Sequence, residues 1–159
     1  MMDSIIHLLA SGFGLGWLSW GPGTFGSLLG IPLAWWLLGR PRLHQVGITA
    51  LLLIVAVPIC HWASQQLGGG DAGQIVADEF LAFPIAVLGL AAARRFWVMG
   101  VAFGLYRFFD IAKLPPIGQI EAIGGGLGIV LDDGMAAIYA WLVLAAGIAL
   151  WRRYRHDLP

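Results

Sequence analysis

The stretch QVGITALLLIVAVPICHW, residues 45–62, decides the fold. It contains no Asp, Glu, Lys or Arg. A bilayer core of ~30 Å needs ~20 apolar residues in a helix, and this run supplies nearly that length. Backbone polar groups in hydrocarbon must be satisfied within the segment, which selects helix over an isolated strand. Pro58 is the one residue in the run that would kink it. Outward from this run, further apolar segments lie at 24–39, 80–93, 96–109 and 135–151. The segment from Ser4 to Trp20 is apolar too, but Gly12, Gly14 and Gly16 interrupt it, so a helix is expected no further than about Ser11. The expectation is an all-α, polytopic membrane bundle of about four spanning helices, with short or re-entrant glycine-broken segments.

Composition supports the same class. Of 159 residues, 59% are hydrophobic and only 11% charged, and the mean hydropathy is +0.82. The length suits a single domain over 1–159. Nine basic and nine acidic side chains give no net charge, so no nucleic-acid partner is expected. No removable signal peptide is read at the start, because no basic region precedes the apolar stretch. Cys60 stands alone in an apolar run and reads as a small buried hydrophobe. Arg40, Arg42, Arg94, Arg95 and the arginines at 152, 153 and 155 fall on one side of alternating segments, the acids on the other. The positive-inside rule puts the arginine side in the cytoplasm. The acids then face outward, or lie deeper in the bilayer if the glycine-rich segments are re-entrant.

Those acids are the unusual feature. Asp78, Glu79, Asp110, Asp132 and Asp133 sit at the ends of apolar runs, where an uncompensated carboxylate costs kcal/mol. Asp132 and Asp133 are placed at the start of the final helix, where capping accounts for one acid but not two. Asp110 closes its segment, where the helix dipole disfavours an anion. Five hard oxygen donors suit magnesium. Arg107, Asp110 and Lys113 recur at intervals of three and share a helix face, as a positive pair that could grip phosphate around a metal-binding Asp. The turn at 21–27, GPGTFGS, opens a helix that Thr24 can cap, and its free amides suit an anion. His61 and His7 read as packed rather than catalytic, and the eight tryptophans suit an interfacial belt.

Together the motifs HLLASGFGLG (7–16), PGTFGSLLGIP (22–32), GGGDAGQIVADEF (68–80), YRFFDIAKLPPI (106–117) and GGGLGIVLDD (124–133) resemble the phosphatidylglycerophosphatase A family of bacterial membrane lipid phosphatases. The resemblance covers nearly the whole chain. It implies magnesium-dependent hydrolysis of phosphatidylglycerophosphate to phosphatidylglycerol, an anionic phospholipid substrate, and a multi-pass place in the bacterial inner membrane. The family's recurring polar positions fall here on Thr24, Ser27, Asp71, Asp78, Glu79, Arg107, Asp110, Lys113, Asp132 and Asp133. Three positions depart from the usual pattern: Lys113-Leu114-Pro115-Pro116 replaces Lys-Pro-x-Pro, Gly124 stands where His is common, and Gly134-Met135 follows the Asp pair.

The resulting expectation assigns Asp78, Glu79, Asp110, Lys113, Asp132 and Asp133 to catalysis, with the five acids among them also holding magnesium. Thr24, Ser27, Arg107 and Lys113 are expected on the substrate. The nucleophile is an activated water or, alternatively, one of the acids through an acyl phosphate. A cation transporter or channel built on the same acids is the competing reading. Arg107 and Lys113 argue against it, since they would repel a passing cation.

Overall fold

The computed structural model describes residues 2–156, in which every regular element is helical. The helices are α1 (Met2–Ala10), α2 (Pro22–Leu37), α3 (Arg42–Gln66), α4 (Ala77–Ala82), α5 (Phe96–Ala112), α6 (Ile117–Glu121) and α7 (Gly125–His156). Short 3₁₀ turns occupy Leu15–Trp17, Phe83–Val87 and Ala91–Arg94. As the glycines foretell, α1 stops at Ala10 and the chain turns through positive φ at Gly12, Phe13 and Gly14.

Two helices, α3 and α7, are long and apolar enough to cross a membrane. In their most apolar stretches only 22% and 28% of residues are buried. The core helix of a soluble protein would be mostly covered; these instead turn Leu51, Ile54, Leu142 and Leu150 outward. That is the surface hydrocarbon solvates without cost. The expected count of four spans is not reached on length. α2 and α5 have 16 and 17 residues, or ~24–26 Å at ~1.5 Å per residue against a core of ~30 Å. The apolar segment at 80–93 is not one helix. Pro84 lacks an amide hydrogen, and the chain passes from α4 into a 3₁₀ turn and then through Gly89 at φ 71°.

α7 is the central element, with α3 on one flank, α5 on another, and α6 and the 83–87 turn against it. Small side chains let the helices approach. Ala136, Ala137 and Ala140 of α7 meet Ala102 and Tyr106 of α5 and Phe83. On the other flank Ala56, Cys60 and Ala63 of α3 pack on Ile129 and Val130. Phe83 stands edge-on to Tyr106 at 5.6 Å. α2 presses a glycine face on α4 so closely that a Cβ on Gly26 would lie 2.4 Å from the Val76 Cβ. Arg40 stacks over Trp36 and Arg94 over Trp35, while Arg95 and Arg152 line one groove. Arg40, Arg94, Arg95 and Arg152 therefore gather at one end of the bundle, as the alternation of segments implies.

Candidate active site

The acids gather at the other end, on five elements. Arg107 and Asp110 lie one turn apart on α5, and Arg107 Nη1 donates to Asp110 Oδ2 at 2.6 Å. The same nitrogen donates to Glu79 Oε2 of α4 at 2.9 Å and to Ser27 Oγ of α2 at 3.1 Å. Ser27, fully buried, donates to Glu79 Oε2 at 2.6 Å. The backbone at Gly23 lies so close that a Cβ there would stand 2.3 Å from Glu79 Oε1 and would have to displace that carboxylate. The first turn of α2 thus lies against the Glu79 carboxylate, where its dipole favours negative charge. Arg107 Nε, also buried, has no hydrogen-bond partner.

A second group forms where α5 ends. Lys113 caps α5 in the left-handed region, φ 46°. That strained turn swings its ammonium away from the Arg107–Asp110 face. It donates instead to Asp132 Oδ2 of α7 and lies 3.4 Å from Glu121 Oε2 of α6. Asp71, in the loop after α3, completes this group: single carboxylate oxygens of Asp71, Glu121 and Asp132 all lie within 4.8 Å of one another. The loop is held by Ser64 Oγ, which donates to the Gly70 carbonyl at 2.6 Å.

Between the two groups sit Asp78 and Asp133, both buried and close enough to feel each other's charge. Successive residues on α7 diverge by ~100°, so Asp132 turns toward Lys113 while Asp133 turns toward Asp78 and Asp110. Asp78 Oδ1 is buried with no hydrogen-bond partner.

The charge balance decides what such a site can hold. Seven of the nine acidic residues lie here (71, 78, 79, 110, 121, 132, 133) beside two cations, Arg107 and Lys113. Fully ionised, that is an excess of five negative charges, which partly buried carboxylates do not sustain without a proton or a cation. Loss of water around the carboxyl, and then the Asp132 charge, push Asp71 up to about 6. Desolvation alone would lower Lys113, but the hydrogen bond and charge of Asp132, with Glu121, outweigh it and hold the ammonium above its usual range. An all-oxygen donor set, three converging carboxylates and an orphaned Asp78 oxygen fit a hard divalent cation.

Membership follows from comparison with known families: a model of phosphatidylglycerophosphatase A matches residues 8–148. The chain belongs to the phosphatidylglycerophosphatase A family. It is a phosphoric monoester hydrolase. Phosphatidylglycerophosphatase A of Haemophilus influenzae is 39% identical to it, over 92% of this chain and 90% of the relative. That of Escherichia coli K12 is 35% identical, over 92% and 83%. A Bacteroides thetaiotaomicron protein provisionally named a phosphatidylinositol-3-phosphatase is 33% identical, over 91% and 92%. No solved structure matches the chain.

In this member of the phosphatidylglycerophosphatase A family the polar residues singled out from sequence divide between the two groups. Ser27, Glu79, Arg107 and Asp110 form one; Lys113 and Asp132 belong to the other; Asp78 and Asp133 lie between. Four local expectations are corrected. Asp132 and Asp133 do not start the final helix: α7 begins at Gly125, so they lie two turns inside it. Lys113 does not share the face of Arg107 and Asp110, because α5 ends at Ala112. Thr24 does not cap α2; Gly21 occupies the cap, Pro22 starts the helix, and Thr24 stays exposed. His61 is exposed rather than packed, and its Nδ1 accepts the Gly126 amide at 3.3 Å where α7 starts. Glu121 escaped the sequence reading altogether. It lies in no apolar run and no motif, and its only signal is a lone acid in a short segment after two prolines.

Proposed function

We propose that this protein is a magnesium-dependent phosphatidylglycerophosphatase of the bacterial inner membrane, releasing inorganic phosphate and leaving phosphatidylglycerol. The observation that carries the reading is the pairing of Arg107 and Lys113 with seven carboxyls at one end of apolar helices. A phosphate monoester needs cations for its oxygens and positioned carboxylates for proton transfer, and its lipid tail needs hydrocarbon beside the site. α2 and α5, short for a span, join α3 and α7 in the bilayer by local thinning.

Asp71, Glu121 and Asp132 are the residues best placed to hold magnesium, with Asp78 and Asp133 available to a second ion. Bound there, magnesium would supply polarisation of a phosphoryl oxygen and a more acidic water. The chain's own residues do the remainder. Arg107, fixed through Nη1 by Glu79, Asp110 and Ser27, keeps Nε for a phosphoryl oxygen. Lys113, held beside Asp132 and Glu121 at the edge of the carboxylate cluster, would offer its ammonium to the same phosphoryl group as a point charge. A carboxylate of the Asp78–Asp133 pair accepts the proton of the attacking water. The phosphorus–oxygen bond to glycerol then breaks, and the glycerol oxygen is protonated. The competing transporter reading gains no support, because fixed cations within the acid cluster suit an anionic phosphoryl group.

Phosphate release from phosphatidylglycerophosphate in detergent, with magnesium and with chelator, tests the proposal. Phosphatidylinositol 3-phosphate serves as the comparison substrate. Release that stops with chelator and favours phosphatidylglycerophosphate is expected; no release, or release indifferent to chelator, overturns it. A radiolabelled phospho-enzyme surviving acid quench would replace the water mechanism with an acyl phosphate.

A further inference from the structure

At the arginine end, α5 and α7 diverge around a groove of about 770 Å³. Its walls include Val98, Val101, Leu105 and Leu144, and its mouth carries Arg95 and Arg152. Gly147 lies on its floor; a Cβ there would meet nothing within 4 Å, so the space beside it is open. Trp97 and Trp151 flank the opening, both more than half exposed. Among the described residues neither Arg95 nor Arg152 enters an ion pair. The mouth is far from the acids. Arg95 precedes Arg107 by ~18 Å along α5, and Arg152 follows Asp132 by ~30 Å along α7, at ~1.5 Å per residue.

We propose that this groove is a second, non-catalytic lipid site. It takes an anionic phospholipid whose phosphate rests between Arg95 and Arg152 and whose acyl chain lies along α5 and α7. The volume falls within the ~300–1,000 Å³ of ordinary ligand sites, and an apolar trough with a doubly cationic mouth matches a lipid anion in both its parts. The positive-inside rule places this end in the cytoplasmic leaflet, whose surface carries the anionic lipids. A second copy of the chain fits less well, since a two-fold contact would bring four arginines together. The inference rests on the membrane placement above, not on the identity of the substrate.

The test is native mass spectrometry of the full chain in mild detergent. The probes are phosphatidylserine and phosphatidylcholine with identical acyl chains, neither being substrate or product of the proposed reaction. Phosphatidylserine should be retained in preference. Arg95→Gln with Arg152→Gln should weaken that retention about thirtyfold, about fivefold for each arginine. Gly147→Leu, which projects into open space, should displace the lipid without disturbing the helices. Phosphatase activity on micellar substrate should be unchanged in both variants, because the active site lies at the other end. Binding is read without turnover, so a wrong substrate assignment leaves this result intact. Equal retention of the two lipids, retention unaffected by either variant, or a dimer that Gly147→Leu dissociates would each overturn the proposal.

Discussion

Replacing Glu121 by Gln tests the metal site at its least expected member. The Glu121 side chain keeps 41% of its surface exposed on the short helix α6, so the change removes a charge without opening a cavity. Two opposite unit charges about 4 Å apart, at an effective dielectric of about 20, attract by about 4 kcal/mol. Partial exposure screens this, and a discount to about 1.4–2.7 kcal/mol is reasonable for the attraction lost by a divalent cation. That corresponds to a 10- to 100-fold rise, as an order of magnitude, in the magnesium concentration giving half-maximal rate. The rate at saturating magnesium should change far less, because Glu121 touches neither Arg107 nor the Asp78–Asp133 pair. The assay is a magnesium titration of phosphate release at constant ionic strength. An unchanged half-maximal concentration would refute the placement of Glu121 on the metal. A fall in saturated rate alone would show that it serves the reaction in another way.

Arg107→Lys keeps the charge but cannot span Glu79, Asp110 and Ser27 while leaving a donor for phosphate; turnover should fall by about 100-fold with the protein still folded, and a near-normal rate would remove Arg107 from the substrate. Gly126→Ala would set a Cβ 2.0 Å from the Val57 carbonyl and 2.6 Å from the His61 amide nitrogen, forcing α3 and α7 apart; a loss of at least about 1–3 kcal/mol should appear as a lower melting temperature in detergent, and wild-type stability would contradict the close packing. Asp71 titrates near 6 in the folded, metal-free chain, above the ordinary 3.8. A raised carboxyl pKa means the folded state binds the proton more tightly, so its contribution is full below about pH 4 and lost as pH rises through about 6. In chelator, Asp71→Asn should therefore equal or exceed wild-type stability at pH 7.5 and flatten the change between pH 4 and 6; a drop in stability at pH 7.5 would show the charge to be favourably paired.

The helices were legible because their cause is local. The 45–62 run, the glycines at 12, 14 and 16, and the segment ending in Arg152 each state their own conformation through hydropathy and backbone freedom. The segment 80–93 was read as one piece because hydropathy outweighed Pro84 and Gly89, which in the fold break it into turns. The polar stretch from Asp110 to Asp133 hid the start of α7. Glycines at 125, 126 and 128 argue against helix in isolation, yet close packing on α3 requires one of them and stabilises the helix around it.

For the site, the sequence alone determined that costly acids, Arg107 and Lys113 must be compensated together near a membrane. That follows from the free energy of charge in hydrocarbon and needs no coordinates. Which acid meets which cation was decided only by the tertiary structure. The left-handed turn at Lys113 breaks the face it seemed to share with Asp110, and the ~100° step between Asp132 and Asp133 sends neighbours to different groups. Glu121 and Asp71, 50 positions apart in the chain, become neighbours only because α6 and the loop after α3 both close on α7. No local pattern encodes such a meeting; it arises from packing.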